Sequence, residues 1–179
     1  MIKSTLLRLF ILSCAFCASP LFSQKFGPEK GSLVIVGGGR LGSEIVERFL
    51  QLAGGLQAEI VVIPTASGAT DFGPGYQGRA FRSFAEHGAQ NLTLVHTYDP
   101  KEADTEAFAE PIQRATGVWF SGGRQWRLAD AYLGTKTEKA LWGVLERGGV
   151  IGGSSAGATS GDIPCARRYE NQHDYDGRS

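Results

Sequence analysis

The sequence predicts an α/β protein built on a mostly parallel sheet, and three observations carry that prediction. Short apolar runs rich in β-branched residues recur along the chain, each run ends in a glycine or turn cluster, and each is followed by apolar residues at helical spacing. Strands that alternate with helices are joined by crossovers, and crossovers produce parallel pairing. The composition agrees: 42% of the residues are hydrophobic and the formal net charge is zero, which is ordinary for one globular unit.

The elements follow in order. Leu33-Val34-Ile35-Val36 reads as a buried strand, and Ser43 to Leu52 places Ile45, Val46, Phe49 and Leu50 on one helical face. Glu59 to Ile63 is the second strand, followed by a helix over Tyr76 to Gly88. Leu92 to Val95 is a strand, Thr105 to Ala115 a helix, and Gly117 to Phe120 a strand. Leu128 to Leu133 and Thr137 to Arg147 supply further helix before Val150-Ile151 enters the last strand ahead of a glycine turn. In an open parallel sheet, ligands bind beyond the carboxyl ends of the strands. The turns there are Gly37-Gly38-Gly39, Pro64 to Ser67, Ser121-Gly122-Gly123 and Gly152 to Gly157.

Charge excludes one class of partner. Eighteen basic residues balance eighteen acidic ones with no long run of either sign, so no nucleic-acid footprint is present. The amino terminus is different in kind. Lys3 and Arg8 precede the apolar stretch Leu9 to Ala18, and small and polar residues lead to Gln24. That is the form of a secretory signal peptide over residues 1–23, too short in its apolar part to span a bilayer, with cleavage near Ser23 or Ala18. The remaining chain, 24–179, is then a single α/β domain that is secreted or periplasmic, with no membrane contact after cleavage. Ile11-Leu12-Ser13-Cys14 faintly resembles a lipoprotein site, but the apolar stretch before it is very short. Once Cys14 and Cys17 are removed only Cys165 remains, which leaves no internal disulfide and no metal cluster of cysteines.

Three glycine-rich turns are candidates for chemistry. Gly153-Ser154-Ser155-Ala156-Gly157 is a G-x-S-x-G directly after an apolar strand, the context a nucleophile elbow requires. A serine on so sharp a turn needs small residues two before and two after it, and the turn aims the next backbone N–H, that of Ala156, at a developing oxyanion. Ser121-Gly122-Gly123-Arg124-Gln125 ends another strand and can offer backbone N–H groups to an anion. Gly37-x-Gly39-x-x-Gly42 matches a dinucleotide fingerprint, but the acidic residue required at the end of the second strand is missing, and Glu59 stands at that strand's beginning. The histidines are His87, His96 and His173. The first two read as structural or solvent-facing, and the third lies in a polar stretch near the terminus.

Five ordered blocks together resemble a known family. GSLVIVGGG at 31–39, IPTASG at 63–68, ATGVWFSGGRQ at 115–125, ADAYLGT at 129–135 and RGGVIGGSSAGA at 147–158 look like cyanophycinase and its relatives, including aspartyl dipeptidase. The resemblance implies a three-layer α/β/α fold akin to class I glutamine amidotransferases, with a serine nucleophile and no cofactor. It implies Ser155 as nucleophile, Gly123 and Ala156 as oxyanion donors, and Gln125 against the substrate. Arg124 departs from the acidic or amide residue common in relatives, and it is the nearest added charge for an acidic substrate. The implied substrate is an aspartyl peptide or the Asp-Arg polymer cyanophycin, and a homodimer is an allowed assembly. Relatives continue through further strands that bring an acidic residue and a histidine in an Asp-Gln-His block. The C-terminal strands are therefore expected to be missing here, with Asn171-Gln172-His173 and Arg178 echoing that block and His173 the candidate base. The competing expectation is a non-catalytic or vestigial binding protein of the same fold.

The signal-peptide reading is checked by N-terminal sequencing of exported protein. The mature chain is expected to begin between residues 19 and 25, and an intact Met1 or Ile2 on exported material would refute it.

Overall fold

A computed structural model describes residues 28–69, 75 and 78–162. The expected signal segment, Cys165 and His173 lie outside the described residues. Five parallel strands form one sheet: β1 (Ser32–Val36), β2 (Glu59–Ile63), β3 (Asn91–Leu94), β4 (Gly117–Phe120) and β5 (Val150–Ser154), in the spatial order β1-β5-β4-β2-β3. The helices are α1 (Ser43–Ala53), α2 (Arg79–Glu86), α3 (Pro100–Ala103), α4 (Glu106–Arg114), α5 (Gln125–Tyr132) and α6 (Lys136–Glu146). Short 3-10 turns occupy Thr65–Ser67 and Ser155–Asp162.

The helices divide between the two faces of the sheet, as strand alternation requires. On one face Ile60, Val62, Trp119 and Val150 pack against Phe49 and Leu50 of α1 and Phe84 of α2. On the other, Val61, Ile63, Val118, Phe120 and Ile151 pack against Ile112 of α4, Leu128 and Tyr132 of α5, and Leu141 and Val144 of α6. This is the three-layer α/β/α sandwich expected of a glutamine amidotransferase-like fold. Because both faces are covered, β2 and β4 read as continuous apolar runs rather than as alternating ones.

Local chemistry sets the helix ends. Thr105 and Thr135 each accept a hydrogen bond at Oγ1, from the Phe108 and Glu138 backbone N–H groups, and so cap α4 and α6. Gly54 ends α1 in a left-handed conformation (φ 114°) that a side chain would resist. The short helix α3 was not expected. Its signal is Asp99-Pro100, where the Asp99 carboxylate accepts from the Lys101 N–H and Pro100 takes a position needing no donor.

Three boundaries differ from expectation. Helix α2 begins at Arg79 rather than Tyr76, and residues 76 and 77 are not described. Helix α5 begins at Gln125 rather than Leu128, because Leu128, Ala131 and Tyr132 provide the buried face while the first turn is exposed and gives no apolar signal. Strand β5 does not yield to a turn at Gly152. It runs on through Gly153 and Ser154, paired with Ile35 and Val36 of β1 on one side and, at Gly153, with Phe120 of β4 on the other.

Gly152 is part of the strand because nothing larger fits there. A Cβ at this position would lie 2.7 Å from the Trp119 ring and 3.0 Å from Phe49. Trp119 is fully buried and meets Phe49 and Phe84 edge-on or nearly so, with ring centroids 5.2 Å and 5.5 Å away. Gly152→Ala is expected to lower stability by about 1–3 kcal/mol through overpacking. Adding Trp119→Phe should make the double variant lose less than the sum of the two single changes. Guanidinium unfolding midpoints of the single and double variants measure this, and strict additivity would show that the two residues do not share the space.

Candidate active site

All five strands point the same way, so their turns gather at one edge of the sheet. At the end of β5, Ser155 is exposed and has φ 54°, the only non-glycine residue with positive φ among the described residues. Such a backbone costs about 1–3 kcal/mol and persists only where its surroundings impose it. Here they do. A Cβ on Gly153 would overlap the Gly157 carbonyl, and one on Gly157 would overlap the Phe120 carbonyl. The turn thus folds back so tightly that the positions two before and two after the serine exclude side chains. Ala156 and Gly157 are buried beneath it.

The β4 turn abuts this serine. A Cβ on Gly122 would stand 3.3 Å from the Ser155 Cβ and 3.0 Å from the Ser154 carbonyl oxygen, while Gly123 (φ 151°) presses directly on the Ala66 carbonyl. That carbonyl accepts hydrogen bonds from the Arg124 N–H (2.8 Å) and from Arg127 Nη1 (3.1 Å). Ser155, Gly123 and Ala156 are therefore brought to one end of the molecule, on adjacent strands β5 and β4. Arg124 and Gln125 begin α5 with exposed side chains. Beside them is a shallow depression of about 380 Å³ lined by Gly68, Tyr98, Trp126, Arg127 and Asp130.

The described histidines do not serve Ser155. His87 ends α2 four residues before β3 begins, which puts it at the amino edge of the sheet, with Nδ1 2.7 Å from the Ser83 carbonyl. His96 follows β3, and β4 and β2 stand between β3 and β5. Three interstrand spacings make a separation of about 14 Å. Glu59 occupies the amino end of β2, at the edge opposite the Gly37 to Gly42 turn, so it cannot meet a ligand there. Among the described residues no three His, Cys, Asp or Glu side chains converge to hold a metal ion, and no helix is long and apolar enough to cross a membrane.

One network was not legible in the sequence. Thr65 Oγ1 lies 2.8 Å from His96 Nδ1 and 2.6 Å from the Tyr132 hydroxyl, and Thr65 and Tyr132 are buried. His96 also stacks edge-on with Tyr98, at a centroid distance of 4.5 Å. Burial pushes the Tyr132 hydroxyl up to about 12, with the hydrogen bonds to Thr65 and the Thr97 backbone opposing. Burial also holds the His96 imidazole below its ordinary value, with nearby Glu102 pulling the other way. His96, read from the sequence as structural or solvent-facing, joins a side-chain network and is half-buried.

Comparison with known proteins identifies the lineage. The profile of peptidase family S51 matches residues 33–171. The chain belongs to that family. It is similar to cyanophycinase from Geminocystis herdmanii, with 31% identity over 134 residues, covering 72% of this chain and 48% of that protein. Similarity to cyanophycinase from Synechococcus elongatus is 33% over 138 residues, covering 73% of this chain and 41% of the relative. The chain thus spans about half the length of the curated relatives it matches. Among solved structures, a peptidase from an acI-B1 actinobacterium superposes with a TM-score of 0.59 at 26% identity, covering 72% of this S51 chain and 55% of that one.

Partial burial of His96 makes stability depend on pH with a definite sign. As pH falls through the ordinary histidine value of 6.5, the unfolded chain takes up a proton at His96 that the folded chain resists. More protons are bound by the unfolded state, so stability declines on acidification from that value down to the lowered folded one. Tm measured from about pH 7.5 to pH 5.5 should fall less in His96→Gln than in the unsubstituted protein. Parallel slopes for the two proteins would exclude His96 as the source.

Proposed function

We propose that this protein is a secreted or periplasmic serine peptidase or isopeptidase that cleaves aspartyl peptides or a cyanophycin-like polymer through an acyl-enzyme at Ser155. The observation that carries the reading is the left-handed serine at the end of β5, held between two glycines that admit no side chain, in a chain of peptidase family S51. The similarity to proteins named cyanophycinase supports the choice of substrate class.

In this reading Ser155 Oγ attacks the carbonyl carbon of an aspartyl residue and passes its proton to a base. The backbone N–H groups of Gly123 and Ala156 donate to the oxyanion of the tetrahedral intermediate. The amine leaves with a proton from the base, and water then hydrolyses the ester. His173 is the histidine proposed as base, with Glu170, Asp174 or Asp176 as its orienter. Gln125 and Arg124, exposed at the start of α5, face incoming substrate, and Arg124 supplies a positive charge for an acidic group.

The test is hydrolysis of β-aspartyl peptides by three forms of this 179-residue chain: unsubstituted, Ser155→Ala and His173→Ala. Loss of either the serine or its base is expected to cost several orders of magnitude in rate. In a form extended by the strands that relatives carry, Ser155→Ala is expected to abolish turnover. Robust turnover of the 179-residue chain, lost in both variants, would make the tail after residue 162 a working part of the site. Binding of aspartyl peptides without turnover in the extended form would favour the non-catalytic reading.

A further inference from the structure

The β2 turn is gripped by α5 at two adjacent residues. Tyr132 holds Thr65 through its hydroxyl at 2.6 Å, and Arg127 holds the Ala66 carbonyl through Nη1 at 3.1 Å. The same carbonyl receives the Arg124 N–H at 2.8 Å and has Gly123 pressed against it. Ala66 is fully buried, so its oxygen has no access to bulk water and its partners are these donors. The Arg127 guanidinium is fixed in turn. Gly68, at φ 71°, leaves no room between itself and the guanidinium, whose Cζ also lies 5.0 Å from the centre of the Trp126 ring.

A charged donor on a buried carbonyl is a strong hydrogen bond, and here it serves the loop facing Ser155. From Ala66 the contact passes to Gly123, and from Gly122 to Ser155. We propose that Arg127 is a positioning residue: through the Ala66 carbonyl it holds the Gly122-Gly123 turn at its distance from Ser155. The proposal rests on the reading of Ser155 as nucleophile for its catalytic consequence, and on geometry alone for its structural one. Arg127 also borders the depression beside Tyr98 and Asp130. Direct substrate contact from there is the rival role, and it predicts different changes.

Two measurements separate these roles. The first is amide hydrogen exchange at Arg124, whose N–H is bonded to the Ala66 carbonyl, with the β4 amides of Val118 to Phe120 as the control for an intact sheet. Arg127→Met keeps the aliphatic stem over Trp126 but removes the donor. Exchange at Arg124 should quicken about tenfold or more with β4 unchanged, and Arg127→Lys should restore much of the protection. If the Met variant fails to fold, Arg127→Gln is read the same way. The second is kinetics on a β-aspartyl peptide in the extended form, where kcat should fall about tenfold or more while KM stays within about twofold. Unchanged exchange in the folded variants overturns the proposal, as does a rise in KM with kcat intact. If the extended form shows no Ser155-dependent turnover, the nucleophile reading fails, and exchange alone still decides whether Arg127 holds the loop.

Discussion

The backbone of Ser155 turns left-handed because β5 delivers it from inside the sheet, where pairing with β1 and β4 on both flanks leaves the strand little freedom to relax. A residue in that conformation at a strand end projects its side chain out of the sheet's edge rather than onto either face. The neighbouring backbones close around it: Gly157 folds back on Gly153 and presses on the Phe120 carbonyl. The strain of about 1–3 kcal/mol is offset by burial of the segments on either side. Strand pairing, glycine content and the exposed hydroxyl are thus one arrangement, and relaxing any of them releases the others.

A second arrangement carries this geometry outward from the serine. The turns after β5, β4 and β2 touch in sequence, Ser155 against Gly122 and Gly123 against Ala66. Backbones can approach so closely only where side chains are missing. Beyond Ala66 the contacts become hydrogen bonds, from the Arg127 side chain and the Arg124 backbone N–H to its carbonyl and between the side chains of Thr65, His96 and Tyr132. The carboxyl edge is therefore stiff at its centre and attached through α5 to the core beneath, where Leu128 and Tyr132 are buried.

The two cores beneath the sheet serve the edge differently. On the α1 and α2 side, the Trp119, Phe49 and Phe84 cluster packs over the sheet, and Trp119 and Phe49 fill the space above Gly152. On the α4, α5 and α6 side, Phe120 and Ile151 support the strand ends from which the two site turns leave. The helix that closes this second side, α5, is also the one whose first turn presents Arg124 and Gln125 and whose last residue holds Thr65.

The sequence by itself determined the layers and the ends of β1, β2 and β4. Apolar runs of β-branched residues marked β1, β2 and β4 to within one residue, because a strand buried on both faces writes its burial directly into composition. The glycines around Ser155 were readable for the same reason, since the spacing of a tight turn is local. The start of α5 was not readable, because its first turn is exposed and only its later residues face the core. The continuation of β5 through Gly152 was hidden as well, since the space that glycine vacates belongs to Trp119 and Phe49, far away in the chain. Only the tertiary structure could join Thr65 to Tyr132 and His96, and Ala66 to Arg127, because each hydrogen bond spans 31 or more residues. Periodicity reports which face of an element is buried. It carries no information about which distant side chain waits at that face.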